Sequence, residues 1–258
     1  RNLIRSVLLS LTRGRLACTS SCCGPVRRYQ NKVAWASASF AIMADIAMGA
    51  LGGKLKVREN LTGRFADILS NLYLTTAVLR RWEAEGSPEE DLPFVHYSCQ
   101  AALARSQEAF DGIFANFDGI LGWFFRWLIL PWSSLNRLSH HPSDGLTHEV
   151  AQLMQTPGAA RARLVQGIYL PKDPKDHTAQ LEECFHLVKA VEDTDRKVKR
   201  AVRQKTLPKI KGAQLYEEAL KKGVIDQKEF EQLSKAEKMR WDVIQVDEFT
   251  LDEYARRV

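Results

Sequence analysis

Sustained alternation of polar and apolar residues is missing from this 258-residue chain, and with it the mark of strands half-buried in a sheet. Acids are missing before Asp45, where Arg1, Arg5, Arg13, Arg15, Arg27, Arg28 and Lys32 stand unopposed. They are missing again from Arg196 to Lys211. Recognised metal-ligand spacings are missing too. His140-His141 and His148 lie near one another, as do Cys184 and His186, but neither group fits a zinc pattern and no His-Glu-x-x-His occurs. Cysteine is scarce and odd in number at 5, with Cys18, Cys22 and Cys23 crowded into one loop. That suits free thiols in a reducing compartment better than a disulfide framework. A calcium loop at Asp226-Gln227-Lys228-Glu229 is excluded, because the alternating oxygen ligands and central glycine are absent.

What is present is a soluble, folding composition: 45% hydrophobic and 26% charged residues, with a formal charge of +6. The length allows one large domain or two small ones. Apolar residues recur at helical spacing. In the stretch that follows Gly52-Gly53, Leu61, Phe65, Ile68, Leu69, Leu72, Thr76 and Leu79 make one stripe. Before it, residues 28–55 form a helix rich in alanine (Ala34, Ala36, Ala38, Ala41, Ala44, Ala47, Ala50), whose small side chains let a neighbour approach closely. A third helix opens at Asp91 as N-cap with Pro93 in its first turn, and runs to Phe117. A short helix starts at Ser143 or Asp144, and a long charged one spans about residues 178–204. The last region reads as a helical hairpin turning at Gly223, with Asp226 capping the second arm. The expected fold is all-α: an antiparallel helical bundle with a small C-terminal helical hairpin subdomain and almost no sheet.

A set of short motifs, in one order along most of the chain, carries more specific information. They are Leu11-Thr12-Arg13-Gly14, Arg28-Tyr29-Gln30, Met48-Gly49-Ala50-Leu51-Gly52-Gly53, Arg58-Glu59-Asn60, Ala66-Asp67, Leu72-Tyr73, Ala77-Val78-Leu79-Arg80-Arg81, Asp91-Leu92-Pro93-Phe94-Val95-His96, Gln166-Gly167-Ile168-Tyr169-Leu170 and Gly223-Val224-Ile225-Asp226. In these the chain resembles the accessory helical domain that follows the catalytic core of bacterial FadE-type long-chain acyl-CoA dehydrogenases. It is similar, more weakly, to the C-terminal domain of the mitochondrial very-long-chain enzyme. The resemblance implies a flavin enzyme of fatty-acid β-oxidation. Its FAD and its carboxylate base would lie in a core upstream of residue 1, and acyl-CoA and an electron-transfer acceptor would meet that core. The first residue, Arg rather than Met, fits such a fragment. It further implies a homodimer in the bacterial cytoplasm, peripheral on the inner membrane. Residues 1–27 would then be a connection from the core rather than a transit peptide, 28–170 the bundle, and 171–258 the C-terminal subdomain. No catalytic, cofactor-binding or metal-binding residue carries over. Glu59, Asp67, Glu83 and Asp45 read as bundle ion-pair partners, Asp67 with Arg64 or Arg81. A free-standing helical adaptor or peripheral membrane protein is the competing reading.

The segment Gly119 to Trp132 departs from the family pattern. Written on a helix it is apolar on nearly every side, with Arg126 its one charge, and it is too short for a ~30 Å hydrocarbon core that takes about 20 residues. Trp123, Phe124, Phe125, Arg126, Trp127, Leu128 and Trp132 are the candidate contact residues, for a membrane or a partner. Tryptophan rings and a snorkelling arginine suit headgroup depth, while a buried core helix is the plainer alternative. The basic run Arg196–Lys211 faces solvent or anionic lipid. With no aromatic between Phe185 and Tyr216 to stack bases, nucleic acid is not an expected partner.

Overall fold

A computed structural model describes residues 2–17, 24–210 and 212–245, and every regular element among them is helical. Cys18, Cys22 and Cys23 fall outside the described residues. The chain divides into two compact units, Arg1–Met154 and Gln155–Val258.

The first unit is built on three long helices: α2 (Arg27–Leu51), α3 (Glu59–Ala84) and α4 (Leu92–Asn116), with the short α1 (Asn2–Leu11) lying on α2. Gln30 at the start of α2 donates to Glu83 at the end of α3 (2.9 Å), and Tyr29 meets His96 at the start of α4 (3.1 Å). So α2 and α4 run alongside each other in one direction and α3 runs back between them in sequence, the antiparallel connectivity that short loops impose. Of the α2 alanines, Ala36, Ala38 and Ala47 are buried together with Trp35 and Met43, Ala34, Ala41 and Ala44 are half-buried, and Ala50 is exposed. The stretch Arg27–Val57 is long and apolar enough to cross a membrane by length and composition, and here its Trp35, Met43 and Ala47 belong to the core.

Three local expectations are corrected. The α2 helix stops at Leu51, because Gly52 takes a left-handed φ of 48° and donates its N–H to Met48 O. A 3₁₀ turn over Gly52–Val57 completes the stretch. On α3 the buried set is Leu61, Ile68, Asn71, Leu72, Thr75, Leu79 and Trp82, whereas Leu69 and Thr76 face out. A helix advances 3.6 residues per turn, so a seam kept at 61, 68, 72, 75 and 79 leaves 69 and 76 a full residue off the stripe. Asp91 does not cap α4. It ends a 3₁₀ turn, Glu89–Asp91, whose helical backbone runs straight into α4, and its side chain makes no capping bond.

After α4 the chain forms α5 (Gly119–Phe124), a π-helical turn (Phe125–Ile129) and α6 (Leu130–Leu135), then α7 (Asp144–Met154), where Ser143 Oγ accepts from Leu146 N–H.

The second unit comprises α8 (Ala159–Val165), α9 (His177–Ala190), α10 (Glu192–Arg203), α11 (Ala213–Lys221) and α12 (Gln227–Ile244). The expected single helix over 178–204 is broken at buried Val191, and three acids in the next turn (Glu192, Asp193, Asp195) favour a fresh N-terminus there. The hairpin of α11 and α12 turns at Gly223 (φ 67°), and Asp226 forms a full capping box with Glu229. Val198, Leu207, Tyr216, Ala219, Ile225, Leu233 and Ala236 form its core.

Candidate functional site

The apolar segment 119–135 is shaped by three local constraints. Phe117 is extended (ψ 141°) and buried, and Gly119 takes a φ of 70° to turn the chain into α5. At Gly122 a Cβ would stand 1.8 Å from Phe117 O, so only glycine lets the helix pass its own preceding strand of backbone. Pro131 has no N–H, and in a regular helix its ring would collide with the carbonyl of Trp127. The helix widens ahead of it into a π turn, with Leu130 N–H bonded to Phe125 O.

The widened turn separates two faces. Phe125 is only 4% exposed. It packs edge-on against Phe117 (5.2 Å between ring centres, 82°) and against Phe114 (5.7 Å), and Ile129 and Leu130 rest on the same core. Ile120, Trp123, Trp127 and Leu135 lie on the outside at helical spacing, with Trp123 62% and Trp127 71% exposed, beside Leu128. Arg126 is exposed and makes no ion pair among the described residues. Of the seven candidate residues, Trp123, Phe124, Arg126, Trp127, Leu128 and Trp132 therefore reach the surface together, and Phe125 serves as the anchor beneath them. The segment is pinned by ion pairing of Asp118 with Arg58, and by Trp132 Nε1 donating to Ser10 Oγ (2.9 Å).

Between α1, α2, α4 and this segment lies a cavity of about 360 Å³, which composition and periodicity gave no means to find. Its base is Trp35, Met43, Phe110, Phe114 and Phe125, all buried; its rim is Leu3, Val7, Leu11, Phe124 and Trp132, all exposed. At one end Gln107 Nε2 donates to Asp111 (2.8 Å) and Ser133 Oγ (2.6 Å), while its Oε1 accepts from Leu138 N–H (2.8 Å).

Two motifs quoted separately from the sequence meet in a polar cluster. Arg28 Nη2 (2.7 Å) and Gln100 Nε2 (3.3 Å) both donate to the Tyr29 hydroxyl, which also contacts His96 Nδ1. Burial pushes the Tyr29 hydroxyl pKa up and the His96 pKa down, so this cluster keeps both groups neutral over a wide pH range. Burial likewise raises the Cys99 thiol to about 12, which leaves it protonated and unreactive.

Of the carboxylates expected to form ion pairs, Glu83 does so, while Glu59 and Asp45 form none among the described residues. Glu83 accepts from Gln30 and from Arg80 (3.0 Å), and Asp45 Oδ2 accepts from Asn2 Nδ2 (3.4 Å). Asp67 departs from expectation: it is exposed, and its carboxylate forms no ion pair with Arg64 or Arg81 among the described residues. Its side chain points off the seam that Ile68 buries. His141 pairs with Glu108 (2.7 Å), His148 with Gln152 (2.9 Å) and His186 with Glu182 (3.2 Å), and no three metal-ligating side chains converge among the described residues. In the basic run, Arg196, Lys197 and Lys199 are paired with Glu192, Glu229 and Asp195.

Among the described residues the site thus offers an apolar cavity and an outward aromatic face on which Arg126 carries no ion pair. No solved structure matches the chain. The family described as "Acyl-CoA dehydrogenase, C-terminal, bacterial type" matches it over residues 1–249, so the chain belongs to that family.

Proposed function

We propose that this domain serves a flavin-dependent acyl-CoA dehydrogenase of fatty-acid β-oxidation, one that converts medium- or long-chain acyl-CoA to the trans-2-enoyl-CoA. A core upstream in the same chain binds FAD and acyl-CoA, supplies the base and passes electrons to an acceptor. The domain packs on that core, supports a homodimer and touches the cytoplasmic face of the inner membrane. The observation that carries the membrane part is the outward row Ile120, Trp123 and Trp127 beside unpaired Arg126. An aromatic ring at headgroup depth with a guanidinium free to meet phosphate is the arrangement that interfacial segments use.

The test is vesicle flotation of the full-length enzyme. With Trp123→Ser, Trp127→Ser and Leu128→Ser combined, binding to anionic vesicles should fall at least tenfold, with flavin content and melting temperature held. A large drop in melting temperature with vesicle binding retained would mean that a protein surface covers this face instead. Residues 1–258 on their own should retain no flavin, and stoichiometric FAD in the isolated domain would overturn the assignment of the chemistry to an upstream core.

A further inference from the structure

We infer that the cavity between α1, α2, α4 and the 119–135 segment is a binding site for a single alkyl chain. Its polar lining is satisfied from within except at one acceptor. Ser6 Oγ meets Ser39 Oγ (3.2 Å). Ser10 Oγ accepts from Trp132 Nε1, and Asn136 Nδ2 donates to Ser10 O (2.7 Å). Ser133 Oγ donates to Asp111 (2.6 Å) and accepts from Gln107. Of the polar atoms in this lining, Asn136 Oδ1 is buried and lacks a partner. A ligand with several hydroxyls, amides or charges would therefore be desolvated here with a single free acceptor, Asn136 Oδ1, to replace its water. A saturated chain loses nothing polar, and gains about 0.8 kcal/mol for each methylene removed from water.

Shape agrees with chemistry. The volume, about 360 Å³, falls within the range of roughly 300–1,000 Å³ typical of small-ligand pockets. Its rim residues are exposed and apolar and its base residues are buried, so a chain that enters end-on leaves its headgroup in solvent. A flat protein partner would cover the rim without filling the base. The base stays open because Trp35, Phe110 and Phe114 belong to long helices whose spacing is set by packing elsewhere, and rigid helices do not collapse into a gap of this size. This site stands independently of the membrane contact proposed for Trp123, Trp127 and Leu128.

The decisive experiment is photolabelling of the full-length protein with 1-decanol carrying a terminal diazirine, with adducts mapped by peptide mass spectrometry. Adducts are expected on the base residues Met43, Phe110 and Phe114. Competition by unlabelled alkanols should strengthen about fourfold per added methylene between octanol and decanol, and decanoate should compete like decanol, because the headgroup stays outside. Val7→Trp, at the exposed rim, should cut base labelling at least fivefold with the melting temperature unchanged. Ser39→Leu provides a second obstruction from the opposite wall should the first variant unfold. The same diazirine on a phospholipid chain in vesicles identifies the source: base adducts there mean a membrane lipid donates the chain, and their absence beside decanol adducts means a free chain does. The triple serine variant described above should keep decanol labelling even where it loses vesicles. No base adducts from any probe, or labelling indifferent to Val7→Trp and to Ser39→Leu, would overturn the inference. So would a concentration-dependent dimer that excludes the probe, since a second copy would then fill the cavity.

Discussion

Gly122 and Asp67 show how differently two residues of similar sequence prominence behave once packed. A side chain at Gly122 would meet a backbone carbonyl at 1.8 Å, and a carbonyl at a helix start has no room to yield. Gly122→Ala should therefore cost at least about 2 kcal/mol, in the range of overpacking, and should shift the tryptophan emission of the 119–135 segment. Unchanged emission and melting temperature would show that the segment re-forms around the methyl. Asp67 stands in solvent with an unpaired carboxylate, so Asp67→Ala should change stability by no more than about 0.5 kcal/mol, a value chemical denaturation resolves. The glycine's role was invisible in the sequence, because Phe117 O reaches it only after the chain turns at Gly119.

At the level of the element, capping and ion pairing set where helices begin. Asp226 Oδ1 accepts from Glu229 N–H (2.7 Å) while Glu229 returns a bond to Asp226 N–H (3.0 Å), which satisfies two of the donors that open α12. Asp226→Ala should cost about 1 kcal/mol, and hydrogen exchange should quicken at the start of α12 while α2–α4 stay protected. The cap at Asp226 was legible in the sequence because a capping box is a purely local device. Asp91 looked equally suitable for α4 and does not cap, since the preceding Glu89–Asp91 turn already carries helical geometry into it. The break at Val191 was likewise unreadable: nothing in a charged periodic stretch announces that one valine will be pulled into the core of the second unit.

Among the described residues, the thiols and phenols with raised pKa values share burial as the leading cause. Cys99 rises from 9.0 to about 12, Tyr216 from 10.0 to about 12, and Tyr29 rises as well. In each, the folded form holds its proton longer than the unfolded chain does. Below pH 9 both forms are protonated and the full stability is present. Above it the unfolded chain loses protons first, binds fewer of them than the native state, and gains in relative stability. The melting temperature should thus decline steadily from about pH 9 towards 12. Cys99→Ser should soften the first part of that decline. A flat profile across this window would mean that the thiol and phenols are solvated in the native state.

Helix class, the rough extent of the long helices, the C-terminal hairpin and the family were all determined by the sequence alone, because periodicity, capping residues and motif order are local quantities that survive without a partner. The tertiary structure decided the rest. It decided which face of the 119–135 segment looks inward, since Pro131 and the π turn rotate Phe125 onto Phe114 and Phe117 while Trp123 and Trp127 stay outside. It also decided that a cavity exists at all, because an unfilled volume belongs to no residue. It arises only where α1, α2, α4 and the aromatic segment, far apart in sequence, are held at distances none of them sets alone.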